Sequence, residues 1–175
     1  VDWSGRVIRW TPEGQGALLA ELGVIAESMA AWGADHLVVG TRKGLRVLRR
    51  SDGAVVAQGE DRADEIAVQG DRLAHSDGAG LTVRGLPGLE VLARVDLGGR
   101  ATNAVCALPG GGWLVGTEGG VVARVDPDGE VGWRQHPHGR DKFEQGNPHA
   151  NCCSVVAAPD GGWLASGATD HTVRV

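Results

Sequence analysis

Tyrosine is missing from this 175-residue chain and phenylalanine occurs once, so six tryptophans carry nearly all of its aromatic bulk. No apolar run approaches the ~20 residues that a membrane-spanning helix requires, so no membrane partner is expected. The net charge is −5 and no basic run interrupts it, which argues against a nucleic-acid binder held by phosphate contacts. There are only three cysteines, and two are adjacent, Cys152 and Cys153. They make a poor disulfide framework, so reduced thiols in a cytoplasmic setting are expected. The start carries no signal-peptide pattern, although the sequence also reads as one that begins inside a longer protein.

What the chain has in excess is glycine, 29 residues, which fits many tight turns and few long helices. It also repeats a phrase. Pro109-Gly110-Gly111-Gly112-Trp113-Leu114-Val115-Gly116-Thr117 returns as Pro159-Asp160-Gly161-Gly162-Trp163-Leu164-Ala165-Ser166-Gly167. Fainter copies run over residues 34–41 and 70–76, and aligning Leu37, Leu73, Leu114 and Leu164 gives steps of 36, 41 and 50 residues. A period of ~40 with four short apolar runs per repeat is the signature of a β-propeller array. On this alignment Trp113 and Trp163 are equivalent and open second strands.

One repeat reads as four strands. Residues 153–158 form an apolar run, 163–167 a second, and Thr172-Val173-Arg174-Val175 a β-branched, alternating third. The fourth shows one repeat earlier, where residues 121–126, the turn Pro127-Asp128-Gly129 and residues 130–134 make a third strand, turn and fourth strand. Gly16 to Trp32 is rich in Ala, Leu and Glu and has a rival helical reading. The repeat register favours strands there, because Glu27 to Ala31 falls where Ser154 to Ala158 falls.

His149, Pro159-Asp160-Gly161, Leu164-Ala165-Ser166-Gly167, Asp170 and Thr172-Val173-Arg174-Val175 together resemble a WD40 repeat. The resemblance implies a four-stranded blade in which His149, Ser166 and Asp170 share a buried hydrogen-bonded network, a structural role. Asp2 to Trp10 resembles a third strand ending in that family's tryptophan. Residues 120–133 are also similar to a PQQ-like propeller repeat, which implies the same blade in a different setting.

The expected fold is therefore all-β: a β-propeller segment of about four to five four-stranded blades, part of a larger propeller. Its divisions are a half-blade over 1–22, blades over 23–60, 61–98 and 99–134, an insertion over 135–148 and an incomplete blade over 149–175. An open arc leaves sheet edges exposed. The remaining blades, from the same or another chain, are accordingly expected partners.

Fold does not settle function. The insertion region from Gln135 to Cys153 holds three of the six histidines, two of the three cysteines and the only phenylalanine. A zinc site would draw on His136, His138, His149 and Cys152, but their spacing matches no standard finger. Cys152 with His149 as a catalytic pair lacks an orienting third group. The glycine runs are followed by neither a helix nor a Lys-Ser/Thr pair, so they are turns rather than phosphate loops. The insertion reads better as a recognition loop on one propeller face, shared with Arg42, Lys43, Glu60-Asp61-Arg62, Asp77, Arg100 and Glu118, and contributing Arg140, Lys142 and Phe143. A mixed-charge rim with one aromatic suits a protein-binding surface. The expectation is a non-catalytic scaffold module without cofactor in a larger regulatory protein, binding a protein partner. The alternatives are a propeller enzyme or metal lobe built on the His/Cys insertion, and a PQQ-like propeller in envelope assembly.

Overall fold

Short β-branched runs separated by glycine turns leave the backbone one economical way to satisfy its hydrogen bonds, the antiparallel meander. The computed structural model describes residues 4–98, 101–138 and 151–175, and all regular structure among them is β-strand. Blade 1 is a pair, β1 (Arg6–Trp10) and β2 (Gly16–Glu21). Blade 2 comprises β3 (Ala26–Trp32), β4 (His36–Thr41), β5 (Gly44–Arg49) and β6 (Val55–Gly59). Blade 3 comprises β7 (Ile66–Gln69), β8 (Arg72–Ser76), β9 (Leu81–Gly85) and β10 (Val91–Val95). Blade 4 comprises β11 (Thr102–Ala107), β12 (Trp113–Thr117), β13 (Val122–Val125) and β14 (Val131–Gln135). Blade 5 has three strands, β15 (Cys152–Ala157), β16 (Leu164–Ala168) and β17 (Val173–Arg174).

Each sheet pairs its strands in chain order or its reverse, and the first strands β3, β7, β11 and β15 pack in succession around the axis. The sheets do not close into a ring, so the architecture is a segment of a propeller. The Gly16–Trp32 stretch forms β2 and β3, and Gly23 between them takes φ 64°, a left-handed turn that ends any helix there.

A recurring irregularity fixes the repeat register independently of sequence. The hairpin of third and fourth strands carries a bulge at Val7/Ile8, Val47/Leu48, Val83/Arg84 and Arg124/Val125. Ile8, Leu48, Arg84 and Val125 are therefore equivalent. In blade 1 it is thus half-buried Ile8, not Trp10, that stands in the column of Leu48, Arg84 and Val125, and Trp10 at the strand end is 65% exposed.

The second strands carry a correction. Trp113 opens β12 and pairs with Ala107, but the residue paired with Ala157 is Leu164, so Trp163 stays in the turn. The cause is turn length. Leu108 N–H donates to the Gly112 carbonyl, whereas Ala158 N–H reaches one residue further, to Trp163. Gly111 and Gly112 both adopt positive φ, while only Gly161 does in the second turn, where the Asp160 carboxylate accepts from Gly162 N–H at 2.9 Å. Trp113 is consequently fully buried and Trp163 is 50% exposed. By the same pairing Leu37, Leu73 and Leu164 are equivalent to Trp113 rather than to Leu114.

The core lies between blades. Val7, Val39 and Leu48 fill the first gap, and Val38, Leu45, Val47, Ile66 and Leu73 the second. Leu81, Val83, Trp113 and Val115 fill the third; Leu114, Val122, Cys152 and Val155 the fourth. Full burial of each such side chain contributes about 1.5–3 kcal/mol. Polar stitches join neighbouring blades on the face that carries the first-to-second and third-to-fourth strand turns. Trp32 Nε1 donates to Asp71 at 3.4 Å, and the Gln69 amide accepts from Gly112 N–H at 2.8 Å. Arg72 reaches the Pro127 carbonyl and Asp128.

Candidate functional site

In a meander of this kind, connections between blades and between second and third strands emerge on one face. The remaining hairpin turns emerge on the other. The first face carries most of the charge clustering in blades 2 and 3. Arg42, after β4, pairs with Glu27 on β3, and Lys43 beside it is exposed. Arg62, in the connection to blade 3, donates to Asp64 at 2.7 Å. Ala63 N–H donates to the Thr41 carbonyl at 3.0 Å, which lays this connection against the Arg42–Lys43 turn. Half-burial, then the nearby Asp64 and Glu27 carboxylates, push the Glu65 carboxyl above its ordinary value. Asp61 receives both Arg84 and Arg94, and Arg94 also lies 3.7 Å from Asp77.

Of the residues expected on the rim, Arg42, Lys43 and Arg62 thus share one surface. Arg100, Arg140, Lys142 and Phe143 lie outside the described residues.

Ser166 and Asp170 come together on an imidazole, and it is that of His138. His138 Nε2 lies 2.8 Å from Ser166 Oγ, and Nδ1 lies 3.3 Å from Asp170 Oδ2 and 3.1 Å from Thr172 Oγ1. His149, assigned to this place from the sequence, lies outside the described residues. The insertion separates His138 from β15, so counting back from the strand passes over it. Partial burial opposes ionisation of Asp170, but hydrogen bonds from Thr172 O–H and N–H, and from His138, hold its carboxyl below the ordinary value.

The order Ser–His–Asp is also that of a hydrolase relay. Here Ser166 is 6% exposed and sits within β16, paired to Val155 on one side and Arg174 on the other. A nucleophile needs an accessible hydroxyl at a turn or cleft; a serine paired across both strand neighbours is a cross-strand tie. Both ring nitrogens of His138 are engaged as well. Burial drives the Cys152 thiol up to about 11, away from the thiolate that metals and catalysis use. Among the described residues, no three His, Cys, Asp or Glu side chains converge as a metal-binding group.

Blade 3 holds a polar network that the sequence reading missed. Arg84 Nε donates to His75 Nε2 at 3.0 Å, Nη1 to the Leu89 carbonyl at 2.5 Å, and Nη2 to Asp61. His75 is fully buried and Arg84 is 6% exposed. Desolvation first, and the Arg84 charge second, pull the imidazole below its ordinary value, as an acceptor from a guanidinium must be neutral. His75 stands in the register column of Val39, Val115 and Ser166; Arg84 stands in that of Leu48 and Val125. Two polar residues in otherwise mainly apolar columns were the available signal, legible only in the correct register.

Neither a family model nor a curated protein sequence matches the chain. Solved structures do. A chain of the mitotic checkpoint complex superposes with a TM-score of 0.77 at 14% identity, covering 93% of this chain and 51% of that one. The WD40 β-propeller domain of Doa1 superposes with a TM-score of 0.76 at 14% identity, covering 98% and 57%. The fold is that of WD40 propeller blades, and the chain spans about half the length of these solved chains.

Proposed function

With a WD40-type blade array as the premise, we propose that this chain is a non-catalytic scaffold module that binds a protein partner through the face carrying Arg42, Lys43 and Arg62. The observation that carries the reading is the interlocked loop pair of blades 2 and 3. The Ala63–Thr41 backbone bond holds two exposed, oppositely charged loops in fixed relation. Rigidly held charge of mixed sign favours specificity over non-specific adhesion. On their residue types alone, Arg140, Lys142 and Phe143 of the insertion are proposed as further contacts to the same partner, and a cytoplasmic regulatory protein as the setting. The solved neighbours are, by their descriptions, a checkpoint complex and a WD40 domain, which supports a role in assemblies.

Position-specific photo-cross-linking tests this. A benzophenone side chain at position 43 is expected to capture a discrete partner in cells. The same group at position 52, on the opposite face, is expected not to. Equal capture from both positions would overturn the assignment.

A further inference from the structure

Blade 3 ties down its leading connection with ionisable groups. In the two register places of His75 and Arg84, blade 2 has Val39 and Leu48, and blade 4 has Val115 and Val125. The connection is residues 60–65, between β6 and β7, and it carries exposed Arg62. It is fastened at three points. Asp61 accepts from Arg84 and, at 3.1 Å, from Arg94. Ala63 N–H donates to the Thr41 carbonyl at 3.0 Å. Asp64 N–H donates to the Ser76 carbonyl at 3.1 Å, and Glu65 N–H to the Ser76 hydroxyl, also at 3.1 Å.

His75 stands between the first and last of these fastenings. Its Nε2 accepts from Arg84 Nε at 3.0 Å, and its Nδ1 faces the Ser76 carbonyl at 3.5 Å. The Arg84 guanidinium is a rigid planar fork. Nε holds the imidazole, Nη1 the Leu89 carbonyl and Nη2 Asp61. Only a neutral imidazole fits this place. A proton on Nε2 sets two donors and two like charges face to face at 3.0 Å, between side chains that are both buried. Because the fork moves as a unit, withdrawing Nε from His75 also withdraws Nη2 from Asp61.

His75 meets charge from several elements: Arg84 on β9, Asp61 in the connection and Asp77 in the turn after β8. Arg94 on β10 reaches both of those carboxylates, at 3.1 and 3.7 Å. Across the gap blade 2 presents Val38, Leu45 and Val47. From β7 comes Ile66, paired with His75, and next to it in the chain stands the half-buried Glu65 carboxyl. Burial first, then Arg84, outweigh the two carboxylates and hold the imidazole below its ordinary value.

From this geometry we infer that His75, Arg84 and Asp61 form a proton-operated latch, in which protonation of the imidazole releases the connection that carries Arg62. The latch is independent of what the charged face binds. That its release weakens binding there rests on the protein-binding role proposed for that face.

The test is nuclear relaxation of the backbone amides of the 175-residue chain at pH 7.5 and pH 5, which reads motion within the folded state. Order parameters of Arg62, Ala63 and Asp64 are expected to fall from about 0.85 to below about 0.6, while Val115 and Ala123 in blade 4 stay rigid. The connection signals should change with the same midpoint as the His75 ring. In His75→Gln, whose amide oxygen accepts a hydrogen bond without titrating, the connection is expected to stay ordered at both values. In His75→Val/Arg84→Leu, which keeps the gap filled with apolar groups, it is expected to show no pH dependence. The latch is overturned by a connection that stays ordered once His75 is protonated, by a ring still neutral at pH 5, or by equal loosening in the two variants. Photo-cross-linking from position 43 in cell extracts then reads the consequence. Capture by the native chain is expected to drop about tenfold or more at pH 5, as when a tenth or less of the molecules hold the connection in place, and capture by His75→Gln is not. Release without loss of capture overturns the role of the latch in binding. No capture at pH 7.5, with release intact, refutes the charged-face reading and leaves the latch standing.

Discussion

Leu164, not Trp163, stands where Trp113 stands: each pairs with the alanine that closes the preceding first strand, Ala157 and Ala107. The two Pro-x-Gly-Gly-Trp phrases are the same in outline and differ by one residue in use. The consequence is energetic. Trp113→Ala is expected to cost about 3–5 kcal/mol, as for a large buried aromatic. Trp163→Ala is expected to stay within about 0.5 kcal/mol in the 175-residue chain. Chemical denaturation of the two variants side by side checks both.

The His138 tie in blade 5 is expected to behave as a stabilising element. Asp170→Ala removes partners of both His138 and Thr172 at a site where the Asp170 side chain is 3% exposed. A loss of about 1–3 kcal/mol follows from leaving a buried imidazole short of a partner, and His138→Ala should fall in the same range. Shortening the insertion within residues 140–146, which spares His138, is expected to leave the melting temperature within a degree or two, since loop closure entropy varies slowly with length. Thermal melts of the three variants give the comparison.

The network in blade 3 predicts acid lability with a definite sign. The His75 imidazole is held below its unfolded value, so the unfolded chain binds the proton first. Its contribution to stability is present above the unfolded pKa of ~6.5 and is lost as the pH falls from there toward the folded value. Urea midpoints for the native chain should therefore decline between pH 7.5 and 5.5 more steeply than those of His75→Gln. Equal slopes would show that the imidazole is not the titrating group.

The same network predicts non-additivity. Asp61→Ala leaves the Arg84 guanidinium buried without its carboxylate, which is expected to be strongly destabilising, though less than for a fully buried pair because Asp61 is 39% exposed. The double change His75→Val with Arg84→Leu reproduces the Val39 and Leu48 pair of blade 2. It is expected to be better tolerated than Arg84→Leu alone, which strands the imidazole acceptor. A double-mutant cycle by denaturation measures the coupling.

Much of the fold was legible in the sequence because its signals are local. Period-2 strands, Pro/Gly turns and a ~40-residue repeat each depend on neighbours in the chain, and they outweighed the helical propensity of Gly16–Trp32. What was not legible depended on a single residue of register. The extra residue in the Gly161–Gly162 turn displaced Trp163, and the bulge beside Ile8 displaced Trp10. Register also hid His75 and Arg84, which look like scattered surface charges until their columns are aligned. His138 was missed because the insertion falls between it and the strand from which the histidine was counted.

The central claim is that the face carrying Arg42, Lys43 and Arg62 binds a protein. The most direct measurement is calorimetric titration of the partner cross-linked at position 43 into three chains: the native one, Arg42→Glu/Lys43→Glu/Arg62→Glu, and Arg49→Glu/Asp52→Arg, which swaps an exposed ion pair on the opposite face. The account predicts a loss of about tenfold or more in affinity for the triple variant, with native affinity for the swap and unchanged melting temperatures in both. Undiminished binding by the triple variant, or equal loss in both variants, would contradict it.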